Sequence, residues 1–174
     1  MLFRSYGGGV AYFTDTLKVA HTYAKSMAKK YKGEPFVLEV NLTTRNIFDV
    51  DDEFTGKELI KFFKTRKDIE EFCRGAGLLK SGVDKYAAMA SVELGNITLT
   101  GDQVFRGLSS GMNQTAKARE KLIKLGYDTL RYNGGENMNM AIKHNVYIAY
   151  NNSNISIVEK YFFDANNNKY KRVK

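Results

Sequence analysis

The chain has 174 residues, of which 43% are hydrophobic and 13% aromatic, and its formal net charge at pH 7 is +8. This composition belongs to a folded chain with its own core and excludes a disordered or collagen-like one. One cysteine and two histidines exclude a disulfide framework and make a multi-histidine metal centre improbable, so we expect no metal.

The hydropathy pattern contains no run near the length of about 18 apolar residues that a membrane span needs. The first residues, from Met1 to Gly7, lack the apolar segment of a secretory signal. The single cysteine, Cys73, falls on the apolar side of a predicted helix and is interpreted as a buried thiol. We therefore expect a cytoplasmic protein that does not associate with membranes.

Lysines supply most of the positive charge, with one group in 25–32 and another in 169–174. A basic surface attracts nucleic acid, acidic proteins or a phosphate-bearing ligand. The same charge is also compatible with an ordinary solvated surface, because charge bears on association and not on fold. The charge alone therefore leaves the partner open.

Hydrophobic periodicity gives the elements of the first half of the chain. Alternation with period two predicts a strand, and apolar residues at spacings of three and four predict a helix. Thr14 or Asp15 is a candidate cap for the first helix, and Gly33 is its candidate stop. In chain order, the predicted elements are a strand at 10–14, a helix from Leu17, strands at 36–42 and 46–50, and a helix at about 57–74.

In the second half, the stretch 84–125 reads as two or three shorter helices, one of them opened by a capping box from Thr100 to Gln103. Period-two patterns then return after Gly126 and predict strands at 127–132, around 146–150 and from 155. Strands and helices that are segregated in sequence are typical of an α+β fold. We predict one α+β domain over 1–164, with a mainly antiparallel sheet, a helical insert at about 56–125 and a basic, flexible tail at 165–174.

Several short motifs occur in a particular order along this framework. They are Phe3-Arg4-Ser5, Val10-Ala-Tyr-Phe-Thr-Asp15, Val19-Ala-His-Thr-Tyr-Ala24, Gly126-Tyr-Asp-Thr-Leu-Arg-Tyr-Asn133, Gly134-Gly-Glu136 and Asn145-Val-Tyr-Ile-Ala-Tyr150. In order and spacing they resemble the small ADP-ribosyltransferases of phage and mobile-element polyvalent proteins. The resemblance covers roughly residues 3 to 160, with the middle helices as a variable insert.

The resemblance implies a split, twisted sheet that grips NAD, which is the substrate. Arg4 matches the residue that contacts the nucleotide's phosphate or ribose, and a guanidinium fork suits a pyrophosphate. Thr14 matches a hydroxyl that supports the NAD-binding strand and the catalytic acid. Tyr12 and Tyr23 match aromatics that pack against the nicotinamide. The remaining positions that the resemblance assigns to NAD binding are Ser5 and Gly7, where the glycine allows close backbone approach.

Glu136 matches the family's catalytic glutamate. Cleavage of the nicotinamide–ribose bond develops an oxocarbenium-like ribose, which a positioned carboxylate stabilises. The resemblance thus implies a catalytic set of Arg4, Thr14 and Glu136. Arginine-modifying relatives carry a second glutamate two residues before the catalytic one, and here that position is Gly134, which argues against arginine as the acceptor.

Three functions remain open at this stage. The first is an NAD-dependent mono-ADP-ribosyltransferase acting on a protein or nucleic-acid acceptor, as a phage-encoded effector against host proteins in the host cytoplasm. The second is a catalytically inactive binding, inhibitor or virion-associated protein with the same fold. The third is a basic nucleic-acid binder without an NAD role, although no recognised nucleic-acid-binding signature is visible.

Overall fold

The chain has an α+β fold. The structure is a computed structural model, and it describes residues 11–110, 115–135, 142–164 and 166–173. The helices are α1 (Leu17–Tyr31), α2 (Gly56–Leu59), α3 (Arg66–Gly75), α4 (Lys85–Glu93), α5 (Gly101–Leu108) and α6 (Thr115–Lys124), with short 3-10 turns at Ile60–Phe62 and Asn152–Asn154. The strands are β1 (Ala11–Thr14), β2 (Phe36–Leu42), β3 (Ile47–Asp49), β4 (Glu53–Thr55), β5 (Thr98–Thr100), β6 (Thr129–Asn133), β7 (Asn145–Ala149), β8 (Ile155–Asp164) and β9 (Lys169–Arg172).

The chain divides into two compact units. Unit 1 comprises Met1–Ile47 together with Asp128–Lys174, and unit 2 is the continuous stretch Phe48–Tyr127. Unit 2 begins about eight residues before the helical insert expected at about 56–125 and ends two residues after it. The sequence interpretation treated 1–164 as a single domain, whereas by its contacts the inserted stretch forms a compact unit of its own.

Unit 1 contains two antiparallel sheets. In one, β7 lies between β1 and β6, and in the other, β8 lies between β2 and β9. Phe13 and Ala149 form a buried cluster with side chains from the second sheet, among them Val40 and Ile155. Burial of these apolar side chains from both sheets in one cluster is the main favourable term that joins the sheets.

Helix α1 packs on the second sheet of unit 1. Ala20, Ala24 and Val37 form one buried cluster, against which Tyr170 of β9 also packs. Small side chains on the helix let its backbone approach the strand closely. The helix ends at Tyr31, and its C-cap, Lys32, adopts the left-handed conformation (φ 54°). Gly33, the expected stop, follows this cap and donates its N–H to the Ala28 carbonyl oxygen (3.0 Å), so the left-handed residue at the helix end is Lys32 and not the glycine.

Unit 2 holds α2 to α6 and a two-stranded ribbon of β4 and β5. The capping box expected at the start of α5 is confirmed, because the Gln103 N–H donates to Thr100 Oγ1 (3.3 Å) and the Thr100 N–H donates to Gln103 Oε1 (3.0 Å). The sole thiol, Cys73, is buried, and burial raises its pKa to about 11, as expected of a thiol in an apolar setting.

Two sequence expectations differ from the structure. The helix expected at 57–74 is broken into α2, a 3-10 turn and α3, because Thr65 and Asp68 form a capping box that starts a new helix. The stretch from 165, expected as a flexible basic tail, contains β9, which pairs with β8 in the register Phe163↔Tyr170. Tyr170 gives this strand an apolar anchor that a purely basic tail would lack.

Candidate functional site

A cleft of about 710 Å³ opens in unit 1 between α1 and the sheet of β2, β8 and β9. The cleft is walled on the helix side by Leu17, Ala20 and His21, and on the sheet side by residues that include Val37 and Val40. This volume falls within the range of about 300–1,000 Å³ that is typical of small-molecule sites. The cleft is therefore large enough for a nucleotide.

One end of the cleft is basic and aromatic. The Lys25 ammonium lies 4.0 Å from the centroid of the Phe163 ring and 3.4 Å from Asn168 Oδ1. The rings of His21 and Tyr170 are stacked, with centroids 3.9 Å apart and planes inclined by 12°. Burial lowers the pKa of His21, and the nearby Lys25 charge lowers it further, so His21 is neutral at pH 7. The charge at this end thus comes from lysine.

The other end carries carboxylates. The Tyr161 hydroxyl donates to Glu39 Oε2 (2.8 Å), and this hydrogen bond raises the pKa of Tyr161. Asp15 borders the cleft just before α1, where Oδ1 accepts from the Asn145 backbone N–H (3.1 Å) and Oδ2 from the Asn145 side-chain amide (2.7 Å). Both carboxylates can accept hydrogen bonds from hydroxyl groups of a ligand.

The Asp15–Asn145 pair joins the end of β1 to the start of β7. Burial would raise the pKa of Asp15, but the hydrogen bonds from Asn145 and Thr16 outweigh that effect and the pKa is lowered from 3.8. Because folding lowers this pKa, the carboxylate stabilises the fold above its ordinary pKa, and the contribution is lost as the pH falls through the lowered value.

We expect Asp15→Asn to lower the free energy of unfolding at pH 7 by about 0.5–1 kcal/mol, since the bonds of this exposed carboxylate are screened by solvent. The difference from wild type should shrink at pH 3. Urea unfolding at both pH values measures it, with Asp51→Asn as the charge-matched control. Equal urea midpoints for wild type and Asp15→Asn at pH 7 would contradict the role of this pair.

Thr14 is the predicted site residue that the structure places at the cleft. It ends β1, and its Oγ1 accepts from the Thr16 backbone N–H (3.3 Å). The expectation that Thr14 or Asp15 is the N-cap of α1 was wrong, because Thr16 occupies that position. Asp15 is instead engaged by Asn145, a partner far away in sequence.

Tyr12 and Tyr23, the predicted aromatic contacts, lie near Tyr132 instead of on the described lining of the cleft. Burial raises the pKa of Tyr132 to about 12, with further contributions from Tyr12 and Tyr23. Alternation along β1 puts Tyr12 and Thr14 on the same face of the strand. The face of β1 that carries Thr14, on the cleft, thus also carries Tyr12, which lies near Tyr132.

The two glycines after β6 are positions of close approach. A Cβ on Gly134 would lie 2.5 Å from His144 Nε2, and one on Gly135 would lie 2.7 Å from the Ile142 carbonyl oxygen. His144 is 5% exposed, and its Nδ1 lies 2.9 Å from the same carbonyl oxygen. Both glycines are therefore required for packing against the segment that leads into β7.

The other predicted site residues, Arg4, Ser5, Gly7 and Glu136, lie outside the described residues. Within the described ranges, no group of three or more histidine, cysteine or carboxylate side chains could hold a metal ion. In that same part of the chain, no helix combines the length and apolar character that crossing a bilayer requires.

Comparison of the chain with family models, with curated proteins and with solved structures gives no match.

Sequence reasoning missed most of the cleft. Lys25 was one of several lysines on α1, and nothing in the sequence distinguishes it from Lys29 or Lys30. The spacing of His21 and Lys25, four residues apart, does put them on one helix face. Tyr170 fell in the expected tail, where an isolated tyrosine among charged residues was the available signal for an ordered strand.

Proposed function

We propose that the chain is an NAD-dependent mono-ADP-ribosyltransferase and that unit 1 holds the dinucleotide. The observation that carries the proposal is the position of Thr14 on a cleft of about 710 Å³. The motif order that suggested an NAD-binding fold therefore has a cavity of suitable size beside one of its three predicted catalytic residues. The antiparallel sheets of unit 1 are compatible with the same proposal.

In the proposed reaction, the bond between ribose C1′ and the nicotinamide nitrogen breaks, and its electron pair leaves with nicotinamide. The Glu136 carboxylate stabilises the positive charge that develops on the ribose. A nucleophilic atom of the acceptor then forms a bond to C1′ and releases its proton to water. Arg4 would hold the phosphates of NAD in this scheme.

The proposed acceptor is a protein or a nucleic acid. The net charge of +8 favours an acidic one, because opposite charge steers association. The proposed compartment is the cytoplasm, which is that of the host if the chain is phage-encoded.

The decisive measurement is release of nicotinamide from NAD by the purified chain. We expect Glu136→Gln, which keeps the side-chain shape and removes the charge, to lower this rate by about 100-fold or more. NAD affinity should change by less than about threefold, because the carboxylate acts mainly in the transition state. Glu34→Gln, at an exposed position outside the cleft lining, is the control.

Two outcomes would contradict the proposal. If the chain releases no nicotinamide and a lysate supplied with labelled NAD contains no labelled product, the transferase activity is excluded. Tight binding of NAD without release would instead favour the inactive binding protein among the alternatives.

A further inference from the structure

The sheet of β2, β8 and β9 has a second face, opposite the one on which α1 packs. Val37 and Tyr170 face the helix, and the register Val37↔Tyr161 and Phe163↔Tyr170 puts their strand partners on the same side. Side chains alternate between the two faces along each strand. The second face, which we call the outer face, therefore carries Phe36, Lys160, Phe162, Asp164, Lys169 and Lys171.

One end of the outer face is covered and the other is open. At the covered end, Val40 and Leu42 of β2 pack against the buried cluster that joins the two sheets of unit 1. At the open end, Phe36 and Phe162 are partly exposed and Lys160 is exposed. The open end is therefore accessible to a partner.

The open end combines two aromatic rings with a lysine. Phe36 pairs with Phe162 across the strands, and their ring centroids are 6.1 Å apart. The Lys160 ammonium lies 4.9 Å from the Phe36 centroid and 4.7 Å from the Phe162 centroid. Because the lysine stem is flexible, an entering ring can displace this ammonium without a change in the backbone.

The open end also has an excess of positive charge. Lys171 forms an ion pair with Asp164 (2.5 Å), and the Asn167 side-chain amide donates to the same carboxylate (2.7 Å). Lys169 pairs with Asp164 in the strand register, but no ion pair among the described residues includes Lys169 or Lys160. Three lysines thus accompany one carboxylate that is already engaged, so this surface favours an anionic partner.

We propose that the outer face binds a single strand of nucleic acid, with bases on Phe36 and Phe162 and phosphates on Lys160 and Lys169. Aromatic side chains on an antiparallel sheet stack with unpaired bases, and neighbouring lysines attract the backbone. A duplex keeps its bases stacked, and an acidic peptide offers carboxylates without bases, so the pair of rings favours the single strand. The cleft lies on the helix side of the sheet, so this inference goes beyond the proposed function and does not depend on it.

The test is fluorescence anisotropy of a labelled oligothymidine of about 12 nucleotides, titrated with the whole chain at several salt concentrations. We expect Lys160→Gln combined with Lys169→Gln to weaken binding by about tenfold at low salt. The slope of log K against log salt should become shallower by about 1.4, because two phosphate contacts are lost. Lys29→Gln combined with Lys30→Gln removes the same charge from exposed positions of α1 and should leave that slope unchanged.

Phe162→Leu separates stacking from charge. It keeps an apolar side chain on the sheet but removes the flat ring, so it should weaken binding by about fivefold or more without changing the salt slope. Phe162→Tyr restores a flat ring and should bind within about twofold of wild type.

Three results would overturn the proposal. One is an equal loss in the two double lysine variants, since it would report a general field and not a site. Another is binding of a duplex of the same length, or of polyglutamate, as tightly as the single strand. The third is absence of any anisotropy change at low salt.

The same titrations are independent of the proposed function. A chain that binds the oligothymidine with the expected dependence on Lys160, Lys169 and Phe162 but releases no nicotinamide would contradict the transferase and support this surface. A chain that releases nicotinamide and does not bind the oligothymidine would support the transferase and overturn this surface.

Discussion

Phe48→Ala is expected to lower the free energy of unfolding by about 3–5 kcal/mol, the largest effect of any substitution considered for this chain. Phe48 is 0% exposed, and its ring stacks on Phe54 (centroids 5.0 Å apart) and meets Tyr127 edge to face (5.4 Å). Truncation removes buried apolar area and leaves a cavity that neighbouring rings fill only in part. Urea unfolding followed by circular dichroism measures the change.

The control for Phe48→Ala is Tyr86→Ala on α4. Tyr86 is 68% exposed, so its removal should shift the free energy of unfolding by no more than about 0.5 kcal/mol. A loss of less than about 1 kcal/mol in Phe48→Ala would mean that the site collapses around the missing ring and that the aromatic cluster contributes little.

Gly101→Ala should lower the free energy of unfolding by about 3 kcal/mol, near the upper end of the range that is typical when a methyl group is forced into a packed core. The reason is that the added methyl group would collide with backbone atoms. A Cβ at this first residue of α5 would overlap the Asp49 carbonyl oxygen and lie 2.7 Å from Val50 Cα. The Gly101 N–H donates to the Asp52 carbonyl oxygen (2.7 Å) and the Asp102 N–H donates to that of Val50 (2.9 Å), so the two segments are held together.

Gly33→Ala is the matched control for Gly101→Ala. A Cβ at Gly33 meets nothing within 4 Å, and its φ is not positive. Alanine has less conformational entropy than glycine in the unfolded chain, and at this open position no steric clash opposes that effect. Gly33→Ala should therefore raise the free energy of unfolding by about 0.4–1 kcal/mol. If both alanine variants unfolded at the urea midpoint of wild type, the close approach at Gly101 would be refuted.

Long, regular patterns in the sequence predicted the fold well. The period-two run over 36–42 predicted β2 with its observed bounds, and Thr100 with Gln103 predicted the start of α5. Short elements carry too little pattern, so β4 and β5, with three residues each, were missed. A helix expected at 57–74 was interrupted because the local capping at Thr65 outweighs the continuing apolar spacing.

The candidate site was only partly predictable. Thr14 was identified through the order of motifs, and it borders the cleft. The cleft itself depends on pairings between distant segments, such as Val37↔Tyr161 and Phe163↔Tyr170. Such pairings decide which of many similar lysines and tyrosines converge, and local periodicity contains no information about them.

The division of the chain into units has a consequence for its synthesis. Every segment of unit 2 has been made once residue 127 is translated, whereas β2, which ends at Leu42, acquires its partner only when β8 begins at Ile155. At about 5–20 residues per second, β2 waits for several seconds with unpaired backbone while the ribosome makes the intervening stretch. The inserted unit can therefore fold first, while β2 and β1, whose partner β7 begins at Asn145, both remain unpaired on the nascent chain.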